Sequence, residues 1–217
     1  MARPREFDEN TALDAAMGCF WHRGYEATSM RDLGADMGMT AASIYNAFGD
    51  KAALFRRALE HYLDGAARER IARLEQMPSP RAAVMAFLDE LVDASARDRA
   101  KRGCMLVNTA LELGPHDAEM RRLVGRELAA IEGFFRGRLR AADAAGELPP
   151  GSSPDDLARL LLGLLLGIRV LARSKPQRAL LEGMLRPVRG LLGLACDGDG
   201  ATAGSLADEA EPADASA

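Results

Sequence analysis

The 217-residue chain has little of what builds sheets, covalent staples or metal sites. Valine and isoleucine together number 10 against 30 leucines, so the apolar residues are mainly those that lose little rotamer freedom in a helix. With Ala and Arg recurring throughout, this predicts an all-α protein. Cys19, Cys104 and Cys196 lie far apart and form no C-x-x-C pair, which argues against a disulfide framework or structural zinc and fits a reducing compartment. His22, His61 and His116 show no metal-ligand spacing, so neither a metal nor a cofactor is expected. The longest uncharged apolar run, residues 160–168, is shorter than the roughly 20 residues that cross a bilayer. No cationic segment leads into an apolar run with a small-residue cleavage site. The chain therefore reads as soluble and cytoplasmic, with no membrane partner. It also lacks G-x-S-x-G, H-E-x-x-H and any Cys/His pair with a catalytic signature, so it is not expected to be an enzyme.

What is present is unevenly charged. The net charge is −4, yet residues 197–217 hold six acids and no base, leaving residues 1–196 at +2. That tail is short of apolar residues and rich in Ala, Gly, Asp and Glu, so it reads as a disordered acidic segment outside the fold.

Apolar periodicity and stop signals divide the rest. Leu13, Met17, Phe20 and Trp21 recur at helical spacing up to Gly24, a natural stop. Ser29, with Asp32 three residues on, opens a second helix as in a capping box, and Met30, Leu33 and Met37 share its inner face. Gly38 ends it. Thr40 caps a third helix, and Asp50 a fourth with an apolar stripe of Leu54, Phe55, Ala58, Leu59 and Tyr62. The "MPSP" segment at 77–80 marks a boundary. Beyond it, helices are predicted at about 81–97, 103–113, 117–145, 154–173 and 177–195. Three units follow: 8–62, a compact N-terminal three-helix helix-turn-helix unit; 63–196, a larger helical unit; and the tail.

The third helix carries the chemistry. At about 100° per residue, placing Ile44 inward brings Ala41, Ala47 and Phe48 near the same face. Ala42 and Asn46 then point away, flanked by Ser43 and Tyr45. Two short helices joined through "GM", the second with small residues outward, meet the demands of a helix-turn-helix, because small side chains let the backbone approach a major groove. Lys51 is a point charge suited to phosphate, the helix start at Thr40 favours an anion, and Asn46 can pair bidentately with adenine.

The stretch "GYEATSMRDLGADMGMTAASIYNAFGDKAALFRRAL" resembles the DNA-binding domain of the TetR (tetracycline repressor) family over residues 8 to about 62. The pattern matches at Gly24, Thr28, Thr40, Tyr45, Phe48, Lys51, Leu54 and Phe55. The resemblance implies phosphate contacts by Tyr45 and Lys51 and base contacts near Ala41, Ala42 and Asn46. Thr28, Ser29, Arg31, Thr40 and Ser43 complete the candidate DNA-binding set. Where the family often carries an aromatic or histidine, positions 46 and 47 are Asn and Ala. Residues 1–60 contain seven bases and nine acids, so attraction to DNA must come from a few placed donors, with Arg3 and Arg5 as a possible arm.

The larger unit offers ligand and partner candidates. Cys104, at a helix start beside Lys101 and Arg102, has the setting of a reactive thiol or is a small buried hydrophobe. "KRGCMLVNTALELG" resembles that of a TetR subgroup with a Gly-Cys pair here, some of whose members sense electrophiles or oxidants. Asn108 and Glu112, spaced i and i+4, could give a pocket its polar groups, sit on a solvated face or hold a neighbouring helix. Leucine lies on most sides of "LARLLLGLLLGIRVLA", more than one neighbour within a domain needs to cover it. Gly163 and Gly167 would let a further helix approach closely. Because TetR-like proteins dimerise through their last two long helices, the resemblance implies a seam with Leu161, Leu164, Leu165, Ile168, Leu181, Leu185 and Leu192 as candidates. The expected function is a ligand-responsive repressor, a homodimer bound to a double-stranded palindromic operator and released by a small-molecule or electrophile inducer. The alternative is a helical adaptor that uses these leucine-rich helices to bind another protein.

Overall fold

The computed structural model describes residues 8–175 and 177–194. The Arg3 and Arg5 arm, Cys196 and the acidic tail lie outside the described residues. Among those described, every regular element is helical. The helices are α1 (Glu9–Arg23), α2 (Met30–Met37), α3 (Ala41–Phe48), α4 (Lys51–Leu63), α5 (Glu69–Glu75), α6 (Pro80–Arg97), α7 (Met105–Glu112), α8 (Ala118–Ala144), α9 (Pro154–Ser174) and α10 (Arg178–Leu191).

The starts are written in short polar side chains. Asp8, Ser29, Thr40, Asp50, Ser79, Asp117 and Ser153 each accept a first-turn backbone N–H, satisfying donors that a helix leaves orphaned. At Ser29 the capping box is complete: its hydroxyl accepts the Asp32 N–H while the Asp32 carboxylate accepts the Ser29 N–H. The turn between α2 and α3 depends on two glycines. Gly38 is left-handed at φ 63°, and a Cβ on Gly34 would meet the Met39 carbonyl oxygen at 2.8 Å.

One element was not expected from the sequence. A π-helical turn, Asp64–Arg68, joins α4 to α5 without a break, at the junction where the first unit is expected to end. Arg68 pairs with Asp64 at 2.8 Å and also reaches Glu127 of α8, holding the turn against the body. The smaller differences are at ends: α7 begins at Met105 rather than 103, and α10 stops at Leu191.

Two apolar cores result. One joins Phe20, Leu33, Ile44, Phe48, Phe55 and Leu59 of α1 to α4 with Met105 and Leu106 of α7 and Met120, Leu123 and Val124 at the start of α8. The other joins α5, α6, α9 and α10 to Ile131, Phe134, Phe135 and Leu139 further along α8. α8, 27 residues and hence about 40 Å long, is a rod shared by both.

Candidate nucleic-acid interface

α3 presents the face that its spacing predicts except at Ala41, which the spacing sets near Ile44 but which is exposed in the open first turn. Ile44 and Phe48 are buried, while Ala41, Ala42, Ser43, Tyr45 and Asn46 are exposed, Tyr45 at 51%. The Thr40 hydroxyl accepts the Ser43 N–H at 3.1 Å and lies 2.8 Å from the Ser43 hydroxyl. The remaining first-turn N–H groups are left for an anion. Tyr45 therefore stands on the surface beside a donor-rich helix start, with the bulk of the helix turned inward.

Lys51 is not a loose surface charge. Its Nζ sits 4.4 Å from the Tyr25 ring centroid and 3.5 Å from the Glu26 carbonyl oxygen. Tyr25 is itself seated against Phe20 and edge-on to Phe55, with centroids 6.2 and 5.1 Å apart. Cation–π contact thus fixes where the ammonium waits. Tyr25 escaped the sequence reading because it lies in a non-periodic turn, where only three-dimensional contact with Lys51 reveals its part.

On α2, Arg31 is exposed and has no ion-pair partner among the described residues. Ser29 is exposed, but its hydroxyl is held 2.5 Å from Asp32 Oδ2, so capping already occupies it. That partnership, chiefly the Ser29 hydroxyl and N–H and then Arg23 at 2.9 Å, keeps the Asp32 carboxyl below the usual carboxylate range. Thr28 requires a correction. Its side chain is buried and its hydroxyl donates to the Gly24 carbonyl at 2.6 Å, so it braces the α1–α2 turn instead of offering a hydroxyl to DNA.

The same turn is gripped from the other side. Glu112, at the end of α7, accepts the N–H of Tyr25 at 3.1 Å and of Glu26 at 2.9 Å. Gly24 makes room for it: at φ 87°, a Cβ there would stand 3.1 Å from both carboxylate oxygens. Asn108, one turn earlier, donates to the Arg102 carbonyl at 3.0 Å. Both side chains have neighbours to hold while also lining a cleft of about 430 Å³ between α1, α7 and α9.

Cys104 occupies the buried N-cap position of α7 with no side-chain capping bond, and Tyr62 donates a hydrogen bond to its Sγ at 3.6 Å. The basic neighbours expected beside the thiol are occupied or turned outward. The Arg102 guanidinium pairs with Asp98 at 3.1 Å and lies 4.0 Å over the Trp21 ring, and Lys101 is exposed. Cys19 is a second buried thiol, pushed up to about 12 chiefly by burial and then by Asp36. Among the described residues no group of three or more His, Cys, Asp or Glu could hold a metal ion, and no helix is long and apolar enough to cross a membrane.

The dimer candidates also need correction. Leu161, Leu165, Ile168, Leu181, Leu185 and Leu192 are all buried within the single chain, filling the second core. Of the expected set only Leu164 is partly uncovered. A stripe flanking the buried face of the same helices is the exposed one, with Leu160 at 52%, Leu180 at 37% and Leu191 at 40%. A Cβ on Gly163 would meet nothing within 4 Å, whereas one on Gly167 would touch Met184 of α10 at 3.5 Å. Counting apolar residues on α9 cannot tell the inner stripe from the outer one, because both are leucine.

Residues 12–58 match the family described as bacterial regulatory proteins, tetR family, and residues 80–187 the tetracyclin repressor-like C-terminal domain. YezE of Bacillus subtilis, an uncharacterized HTH-type transcriptional regulator, is 36% identical over 149 residues, 68% of this chain and 76% of that protein. The HTH-type transcriptional repressor ComR of Escherichia coli is 31% identical over 173 residues, 79% of this chain and 82% of that protein. Among solved structures, a cysteine mutant of the TetR family regulator CifR, complexed with a 26-base-pair double-strand operator DNA, is 38% identical. It superimposes with a TM-score of 0.75 over 85% of this chain and 98% of that one. The two matched segments, the helix-turn-helix geometry and these relatives agree: the chain belongs to the TetR family of helix-turn-helix transcriptional regulators.

Proposed function

We propose that the protein is a ligand-responsive repressor, a cytoplasmic homodimer released from a palindromic operator by a small-molecule or electrophile inducer. Residues 8–62 form its DNA-binding unit and residues 63–196 its ligand-binding and dimerisation unit. The observation that carries the reading is the exposed face of α3, where Thr40, Ala41, Ala42, Ser43, Tyr45 and Asn46 stand clear while Ile44 and Phe48 anchor the helix. Lys51, held over Tyr25, and unpaired Arg31 supply the phosphate contacts, and Asn46 the base contact.

The exposed stripe of Leu160, Leu180 and Leu191, with the partly uncovered Leu164, is the surface a second copy would cover, with Gly163 leaving room for close approach. Two recognition helices on a two-fold axis must match half-sites about one helical turn apart, roughly 34–36 Å. Induction then works by population shift: an inducer that binds better to the misspaced state lowers operator affinity. The Glu112 grip on Tyr25 and Glu26 gives such a change a path, since α7 holds the turn on which Lys51 rests. Cys104, buried beside Tyr62, is the group an electrophile would modify once it had entered.

The test is a gel-shift with DNA from upstream of the gene and with a random pool, beside sedimentation equilibrium. A salt-sensitive, sequence-selective complex containing two protein chains is expected. Absence of sequence preference across the pool refutes the repressor, and a monomer that pairs only with a foreign protein favours the adaptor.

A further inference from the structure

The described residues contain many half-buried arginines, and nearly all have an anionic or carbonyl partner: Arg68 with Glu127, Arg70 with Glu90, Arg81 with Glu147, Arg102 with Asp98, Arg136 with Glu132 and Asp155. Arg138, which lacks a carboxylate, has the carbonyls of Glu75 and Met77. Arg169 of α9 is different. Its one hydrogen-bond partner among the described residues is the Ser95 hydroxyl of α6, at 3.3 Å. Arg169 is half-buried, and its guanidinium keeps donors that a carboxylate would satisfy.

Its surroundings are those of a binding site. Arg169 lines a cleft of about 370 Å³ together with Trp21, Tyr62, Arg70 and Ser95, within the usual size range of small-molecule sites. It also lines the Glu112 cleft and a narrow apolar recess of about 30 Å³ formed by Phe87, Leu91, Ile131 and Leu165, where Cys104 is found. A second group there is unsatisfied: the Trp21 indole Nε1 is buried and has no hydrogen-bond partner. Burial, and then the charge of Arg169, hold the Arg70 guanidinium below its ordinary range. Arg97 and Arg102 line the same hollow, and Glu90, Asp93 and Asp98 offset Arg70, Arg97 and Arg102, which leaves Arg169 as the lining arginine without a carboxylate among the described residues.

We propose that this cleft takes a small organic anion, a carboxylate on an apolar body, with the carboxylate on Arg169, the Trp21 indole N–H as a further donor, and the body in the 370 Å³ cleft itself against Ala66, Ala94 and Ala172. This rests on the ligand-responsive reading above and adds the chemical class of the ligand. A neutral isostere would leave the guanidinium uncompensated, and that difference provides the discrimination. The site touches α1 through Trp21, α4 through Tyr62 and α9 through Arg169, so its occupant contacts both the DNA-binding helices and the ligand-binding body.

Trp21 is the single tryptophan of the chain, so its fluorescence reports this site. Benzoate, phenylacetate and hexanoate, each beside its own amide, are titrated into the full chain by fluorescence and calorimetry, and tested separately for release of operator DNA. At least one carboxylate is expected to bind about 10- to 100-fold more tightly than its amide. Arg169→Gln should abolish that preference, and Arg169→Lys should keep the order of carboxylate over amide with weaker affinity. Carboxylates binding no better than amides, or an unchanged preference in Arg169→Gln, overturns the anion site. If the carboxylate binds in an Arg169-dependent way but leaves DNA bound, the anion site stands and its role as the induction site fails. If an amide binds as tightly and releases DNA, ligand response stands and the anion class fails.

Discussion

The two cores are built differently. The first is rich in aromatics and small residues: Phe20, Phe48, Phe55 and Tyr62 around Ala12, Ala16 and Ala58. The second is largely leucine with one phenylalanine cluster, Phe87, Phe134 and Phe135, whose centroids are 5.1 to 5.6 Å apart. The first also crosses the expected domain boundary, because α7 and the first turns of α8 pack with the helix-turn-helix. A segment from beyond the expected boundary therefore packs as one core with the helix-turn-helix, and the proposed anion site, with Trp21 and Arg169, lies where the two cores meet.

Breaking either core should separate them. Leu123 lies far along the sequence from the helix-turn-helix but inside its core, whereas Leu139, four turns further along α8, fills the other. Each mutation to alanine should cost about 2–5 kcal/mol. Leu123→Ala should speed amide exchange in α2 and α3, and Leu139→Ala should leave that exchange nearly unchanged while loosening α9 and α10. Equal effects on α2 and α3 would mean a single cooperative core. The next effect is smaller and sits on the link. Glu112→Ala removes the acceptor for two backbone N–H groups, at a cost of about 1–3 kcal/mol, and Glu112→Gln keeps one neutral acceptor and should lose less. Faster exchange at Tyr25 and Glu26, with a smaller inducer effect on operator affinity, is the expected result. An unchanged inducer effect would show that Glu112 holds the turn without carrying the signal.

The helices and their starts were legible because each cap is a local signal: Ser29 with Asp32, Thr40 with Ser43, Asp50 with Ala53. The outer face of α3 was legible for the same reason, since eight residues with one buried isoleucine set the phase. Contacts across the chain were not. Glu112 reaches back 86 and 87 residues to the α1–α2 turn, and i, i+4 spacing with Asn108 suggests a shared helical face without naming what that face meets. On α9, leucines at 160, 161, 164 and 165 give an inner and an outer stripe of the same residue type, so burial had to come from the fold. The π turn at 64–68 has no signature in composition, because it is one extra residue accommodated by packing against α8. Arg169 looked like one arginine among many until its partners could be counted.

The mildest test concerns the surface that the first core supports. Lys51 meets no base edge in the proposed docking and is one of few placed cations, since residues 1–60 carry more acids than bases. Lys51→Ala should therefore weaken binding to every sequence by a similar factor and lower the slope of log affinity against log salt by about 1. Its seat on the Tyr25 ring sharpens the expectation. Tyr25→Leu keeps an apolar side chain in the turn but withdraws the ring that orients the ammonium, so it should give part of the Lys51→Ala loss and almost none in the Lys51→Ala background. Salt titrations of the two single variants and the double variant measure that coupling directly. Additive losses would mean that Tyr25 acts only on the fold of the turn, and a loss confined to one operator sequence would take Lys51 off the phosphate backbone.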